Sequence, residues 1–155
     1  MSTHYDGTEE ERRALDCFIK LRRASNSVGH QMDEHLDAWG LTSSQFGIME
    51  AIYHLGPMHQ KQLGEKLLKS GGNISVVVDH LEDRGLVERQ RMERDRRYVS
   101  VHLTEEGEEL IDELMPEHVG AIVERMSALS ADEQEELSRL CKKLGRGLGS
   151  EPVDR

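Results

Sequence analysis

No stretch of this 155-residue sequence holds apolar residues over the ~18 positions that a membrane-spanning helix needs. The opening residues, Met1 to Glu10, are polar and acidic, so no secretory leader is expected there. Cysteine is scarce. Cys17 and Cys141 are too few for a disulfide scaffold, and a cytoplasmic setting is the default expectation. Aromatic residues are few, while Leu, Ala, Glu, Lys and Arg are plentiful, a balance that favours helices. Chemical signatures are lacking as well. There is no glycine-rich phosphate loop, no Gly-x-Ser-x-Gly elbow, no His-x3-His pair and no Cys-His cluster at metal-ligand spacing. An enzyme, a resident cofactor and a metal site are therefore not expected.

Positive charge is also short, but unevenly so. The net charge is −10. Residues 1–58 carry 5 basic and 9 acidic side chains (−4), residues 59–103 carry 9 and 7 (+2), and residues 104–155 carry 6 and 14 (−8). Between Arg84 and Arg97 six arginines face only Glu88, Glu93 and Asp95. Salt screens charges over about 10 Å, so a phosphate backbone would feel this local excess and not the distant acids. Six arginines exceed what three carboxylates can pair, which sets the stretch apart from an ordinary solvated face.

Periodicity supplies the elements. Leu15, Phe18, Leu21, Ser25, Val28, Met32 and Leu36 recur every three or four positions and predict one long helix over 9–38. Thirty residues span about 45 Å, longer than a small domain is wide, so part of that stripe should pack on a second subunit. Gly40 ends it, and Thr42 with Gln45 forms a capping box for a helix that Gly56-Pro57 stops. Gln60 to Lys69 predicts a short helix, with Leu63, Leu67 and Leu68 inward. A second begins near Ser70-Gly71-Gly72-Asn73-Ile74-Ser75 and stops at Gly85. Two strands, Leu86–Arg91 and Tyr98–Thr104, flank the basic tip Glu93-Arg94-Asp95-Arg96-Arg97. Thr104 caps a helix that Pro116 should kink, and Ser130 with Glu133 caps a last one carrying Leu137, Leu140, Cys141, Leu144 and Leu148. Gly145, Gly147 and Gly149 should let the end fray. The expected fold is mainly α with a small β-wing, a winged helix-turn-helix flanked by terminal dimerisation helices.

The run Leu81-Glu82-Asp83-Arg84-Gly85-Leu86-Val87-Glu88-Arg89, then Asp95-Arg96-Arg97, then Leu103-Thr104-Glu105-Glu106-Gly107, resembles the MarR family of bacterial transcriptional regulators. The resemblance covers roughly residues 10–148. It implies a single domain over 1–155, with dimerisation helices at 9–38 and 104–148 and a DNA-binding winged helix at 42–103. It also implies a homodimer on a pseudo-palindromic duplex, with DNA affinity altered by a small molecule or an oxidant.

Candidate DNA-binding residues are Ser70, Gly72, Asn73 and Ser75 at the start of the recognition helix, and Arg94, Arg96 and Arg97 at the wing. Short polar side chains at a helix start can reach base edges, and guanidinium groups fit a narrow A·T-rich minor groove. Ser and Asn are also ordinary N-caps, so both roles can coexist there. Asp79, Glu82 and Asp83 would repel phosphate and are placed away from the DNA backbone. By the family pattern, Asp95 buttresses an arginine and does not touch DNA. Phe18, Met32, Met49, Tyr53 and Met115, with Trp39 beside them, fall on helices bordering the family's ligand cleft, although methionine and aromatic residues at helical spacing are commonly plain core. The phrase Ser70 to Ser75 looks like the branch that answers quinones and phenols, so the expected effector is a small aromatic or phenolic molecule. Cys17 and Cys141 are distributed as in peroxide-sensing members, but the sensors' partner tyrosines are not evident and Phe46 stands where one hydroxyl would be. His30, Glu34 and His35 on the first helix, and His118 after Glu117, are the remaining candidate metal ligands, and they lack the spacing of a metal site. The expected function is a ligand-responsive repressor. The alternatives are thiol-based redox sensing through Cys17, and a winged-helix protein-interaction module without DNA binding.

Overall fold

The computed structural model describes residues 4–67 and 71–149. In chain order it runs α1 (Glu9–Asp37), α2 (Ser43–Leu55), β1 (Met58–His59), α3 (Gln60–Lys66), α4 (Gly71–Asp83), β2 (Val87–Met92), β3 (Asp95–Leu103), α5 (Glu105–Met126) and α6 (Ala131–Gly147). The strands form an antiparallel sheet in the order β1-β3-β2. A mainly helical protein with a small β-wing is the expected class.

The helix boundaries follow from capping. Thr8, Thr42 and Ser130 each accept from the backbone N–H three residues on, and Glu11, Gln45 and Glu133 reach back to the capping residue's own N–H. The C-terminus of α4 is closed by Gly85 at φ +71°, with Leu86 N–H donating to Leu81 O (3.0 Å) and Gly85 N–H donating to Glu82 O (2.9 Å). That double closure needs the left-handed backbone that glycine adopts without strain, and it buries Leu86 beside Leu81.

The core lies between α2, α4, α5 and the sheet. Ile48, Met49, Leu63, Ile74, Val78, Leu81, Val101 and Leu114 are fully buried in it. Ile74, Val78 and Leu81 fall on one stripe of α4, and each stabilises the fold by roughly 1.5–3 kcal/mol relative to exposure. Only Leu36 of α1 is buried, and α6 buries none of its residues. Phe18, Leu21 and Val28 on α1, Val119 and Val123 on α5, and Leu137, Leu140 and Leu144 on α6 stand exposed.

Three local expectations change. β1 is only two residues long and pairs Met58 with Val101 and His59 with Ser100. So short a strand leaves no alternation to read. Helix α3 ends at Lys66, while Leu68, Lys69 and Ser70 lie outside the described residues. Helix α6 incorporates Gly145 and Gly147 before turning at Gly149, φ +73°.

Candidate nucleic-acid interface

Helix α4 has three distinct faces. Ile74, Val78 and Leu81 are sunk in the core. Ser75, Asp79 and Glu82 turn toward the wing, where Arg89 of β2 meets them. Asn73, Val76 and His80 point outward, three or four residues apart and therefore on one side of the helix. Val76 is 53 % exposed although it is apolar and sits between two core positions in sequence. Gly72 lies in the first turn of α4. Ser75 is half-buried, and its carbonyl accepts from Arg89 Nη2 at 3.1 Å. Sequence reasoning finds Asn73 but passes over Val76 and His80. Their signal is present: each is out of phase with the Ile74-Val78-Leu81 stripe.

The wing turns at Glu93-Arg94, with a bulge between Arg91 and Met92. Asp95 accepts three hydrogen bonds from Arg97: from the backbone N–H (3.1 Å), Nε (3.0 Å) and Nη2 (3.1 Å). These side-chain and backbone bonds hold the Asp95 carboxyl below its ordinary pKa. The Arg97 side chain is nonetheless 89 % exposed, so it is oriented without being covered. Arg91, Arg94 and Arg96 are exposed and form no ion pair among the described residues.

Two of the six arginines are bonded to other elements of the protein instead. Arg84 Nη1 donates to Gly40 O at 2.6 Å, tying the end of α4 to the α1–α2 corner. Arg89 pairs with Asp79 and Glu82. The excess of six arginines over three acids holds within the hairpin segment, whereas Arg89 finds its carboxylates on α4. Four cations remain outward, close together around one hairpin.

The five candidate pocket residues are not gathered at one place. Met49 is fully buried core and Met115 packs against that core. Tyr53 donates its hydroxyl to Asp112 Oδ1 at 2.7 Å. Phe18 is 54 % exposed beneath Arg22. It lies fourteen residues from the half-buried Met32 on the same helix, roughly 21 Å along its axis. Cys17 and Cys141 are both exposed free thiols, and Cys141 is uncovered within the protomer although it falls on the leucine stripe of α6.

A different cluster occupies the junction of α1, α2 and α5. The His118 ring lies 4.3 Å from the Phe46 ring and 5.6 Å from that of His35, centroid to centroid. His118 is 8 % exposed, and neither its Nδ1 nor His35 Nε2 has a hydrogen-bond partner among the described residues. Beside them Trp39 Nε1 donates to Glu117 at 3.2 Å. From the sequence His118 suggests at most a metal ligand. Its spacing from Ile111 and Leu114 is what marks it as inward-facing. No group of three or more metal-ligating side chains forms among the described residues.

Burial pushes His118 below its ordinary pKa of 6.5; nearby Glu50 opposes that shift and His35 reinforces it. The unfolded chain therefore binds a proton here more readily than the folded one. Stability should be full above pH 6.5 and fall as pH drops from there toward the lowered folded value. In urea melts between pH 8 and pH 5, His118→Gln should flatten this decline. An unchanged slope would mean that His118 is not buried in its neutral form.

Comparison with known proteins agrees with this architecture. The MarR family model matches residues 39–97. The HTH-type transcriptional regulator MhqR of Bacillus subtilis (strain 168) is 35% identical over 133 residues, covering 86% of this chain and 92% of its own. The uncharacterized HTH-type transcriptional regulator YkoM of the same organism is 36% identical over 137 residues, 88% of this chain and 89% of its own. Sco3205, a MarR family regulator from Streptomyces coelicolor solved in complex with DNA, superposes with a TM-score of 0.81 at 22% identity, covering 92% of this chain and 94% of its own. With a winged helix, an outward arginine cluster and full-length likeness to such regulators, the chain belongs to the MarR family of DNA-binding transcriptional regulators.

Proposed function

We propose that the chain acts as a homodimeric repressor that binds a pseudo-palindromic duplex and is released by a small aromatic or phenolic effector. The observation that carries the DNA part of this reading is the outward set of α4 and the wing. Asn73, Val76 and His80 on α4 and Arg91, Arg94, Arg96 and Arg97 on the wing are all exposed, while Asp79 and Glu82 of α4 are turned to Arg89. A helix of this kind suits a major groove and the arginine tip suits the adjacent minor groove. In this reading the region from α2 to β3 reads DNA, and α1, α5 and α6 form the dimer.

The dimer reading rests on apolar side chains that the protomer leaves uncovered on those three helices. Full-length protein should scatter light as a dimer at low micromolar concentration, and truncation after Glu136 should abolish that species. A stable full-length monomer would rule the assembly out.

The DNA reading divides labour between charge and bases. Arg94→Ala and Arg97→Ala should weaken binding to many sequences. Each should flatten the plot of log affinity against log salt by about 0.9 for every phosphate that is no longer neutralised. Asn73→Ala should relax preference at one base pair per half-site, at about 1–3 kcal/mol per specific contact, with half-sites centred about 10 base pairs apart. Val76 suits a thymine methyl, so replacing thymine by uracil at one step should weaken the wild type and leave Val76→Ala indifferent. Salt titrations on selected and shuffled duplexes test all of this. Failure of the wild type to bind duplex DNA at low salt would sink the reading.

The effector reading rests on the His35–Phe46–His118 junction, where buried ring nitrogens with open bonding capacity stand beside an aromatic face. A phenolic hydroxyl could meet such a nitrogen while its ring stacks on Phe46. Simple phenols or hydroquinones should release the wild type from DNA, and His118→Phe should need at least tenfold more for release. Equal release of both proteins would move the effector elsewhere. Prompt release by stoichiometric peroxide, abolished in Cys17→Ser, would replace the ligand reading with a redox one.

A further inference from the structure

The guanidinium of Arg89 is the most heavily engaged arginine side chain at the wing. Its Nε donates to Gln60 Oε1 of α3 at 2.8 Å. Its Nη2 donates to the Ser75 carbonyl of α4 at 3.1 Å. Its Nη1 meets Asp79 Oδ1 at 2.6 Å and Glu82 Oε1 at 3.1 Å. The backbone N–H of Arg89 donates to the other Glu82 oxygen at 3.0 Å. One residue of β2 thus holds α3 and three successive turns of α4. Its side chain is 21 % exposed, against 89 % for Arg97.

The direction of these contacts matters more than their number. At 100° per residue, the buried stripe Ile74-Val78-Leu81 and the Arg89-bound stripe Ser75-Asp79-Glu82 lie roughly 100° apart around α4. An apolar stripe alone tolerates some roll of a helix about its axis, because hydrophobic contact is not directional. A planar fork bound at right angles to that stripe does not. The third face, Asn73-Val76-His80, is then presented in one orientation only. The same contacts neutralise two carboxylates that would otherwise stand on the DNA-reading helix.

We propose that Arg89 is a positioning residue for DNA recognition: it fixes the roll of α4 against the wing and contacts no phosphate itself. The inference rests on the DNA-binding reading. Asp79 is 56 % and Glu82 42 % exposed, and ion pairs of such exposure add little to fold stability, so geometry is where removal of Arg89 should register.

The test compares affinity for a duplex that the wild type selects from a random pool with affinity for a shuffled duplex of equal length, using full-length protein. Arg89→Met should lower the ratio of the two affinities at least tenfold while leaving the salt slope unchanged. Arg89→Lys keeps the charge but cannot form the fork, and should not restore the ratio. Arg94→Ala, the control, should flatten the slope and leave the ratio near that of wild type. A flattened slope with an unchanged ratio in Arg89→Met would make Arg89 a phosphate contact and overturn the proposal. Full rescue by lysine would overturn it as well. Should Arg89→Met fold poorly by circular dichroism, Asp79→Asn serves instead, being a change at an exposed site. It should lower the ratio; tighter binding to both duplexes at an unchanged ratio would show Asp79 to be a simple repelling charge and overturn the proposal. If the wild type fails to bind either duplex, the DNA-binding reading itself falls, an outcome distinct from an unchanged ratio in the variants.

Discussion

The close backbone approach between Leu86 and Gly107 governs how the rest of the structure fits together. A Cβ placed on Gly107 would lie 2.0 Å from Leu86 O, so no other residue can stand there without moving the first turn of α5 or the root of the wing. Around that point Thr104 donates its hydroxyl to Gly85 O at 2.6 Å and its N–H to Leu86 O at 3.1 Å, while Gly107 N–H donates to Thr104 Oγ1 at 3.1 Å. The end of α4, the start of β2, the end of β3 and the start of α5 are joined there by short hydrogen bonds between mostly backbone groups. Such a joint resists deformation, because closely packed backbones leave no room for either segment to shift toward the other. The end of α4 and the root of the wing are thus anchored together to the start of α5.

Arginine serves opposite ends on the two sides of that joint. Arg84 and Arg89 bond to neighbouring elements and hold α4 at its C-terminus and along one flank. Arg97 is steered by Asp95 yet left open to solvent, and Arg91, Arg94 and Arg96 extend from the hairpin. The same residue type fixes the reading elements and charges them. Guanidinium suits both uses, since it stays ionised at any working pH and forms several planar bonds at once. The overall acidity of the chain does not oppose this, because the excess acids lie mostly on α5 and α6.

What the sequence made legible was whatever is encoded locally. Thr42 with Gln45, Ser130 with Glu133, and Gly85 after Arg84 each fix an element end within four residues, and each stands where local capping chemistry puts it. The spacing from Leu81 to Gly107 is specific enough to point to the family, because the joint it encodes tolerates few residues. What stays hidden depends on contacts between distant segments. Arg89 counts as a wing cation in the sequence because its acids, Asp79 and Glu82, belong to another element. Met58–His59 becomes a strand only by pairing with Ser100 and Val101. His118 resembles a stray ligand until α5 packs it against Phe46. Phe18 and Cys141 stand at the surface of the protomer, so nothing in its core reveals what they are for.

A series of contacts also runs from the α1–α2–α5 junction to the end of α4. His118 adjoins Glu117 in sequence, and Glu117 accepts the indole N–H of Trp39. Trp39 precedes Gly40, whose carbonyl accepts from Arg84 at the end of α4. Two of these links, Trp39 to Glu117 and Arg84 to Gly40, are hydrogen bonds between distant segments, and the other two are steps along the chain; Gly40, at φ +69°, provides a backbone that turns sharply between α1 and α2. The route bypasses the rigid Leu86–Gly107 joint, which ties α4 to α5 from the other side. Helix α4 is therefore held at its C-terminal end by two attachments of different stiffness: a backbone joint toward α5 and a single guanidinium bond toward α1. A ligand lodged beside His118 would displace α1 relative to α5. That shift would fall on the softer attachment, because bending one Arg84–Gly40 hydrogen bond costs far less than separating the packed backbones of Leu86 and Gly107. The expected response is a reorientation of the joined α4–wing unit against α1, with Arg89 keeping helix and wing in register as they move.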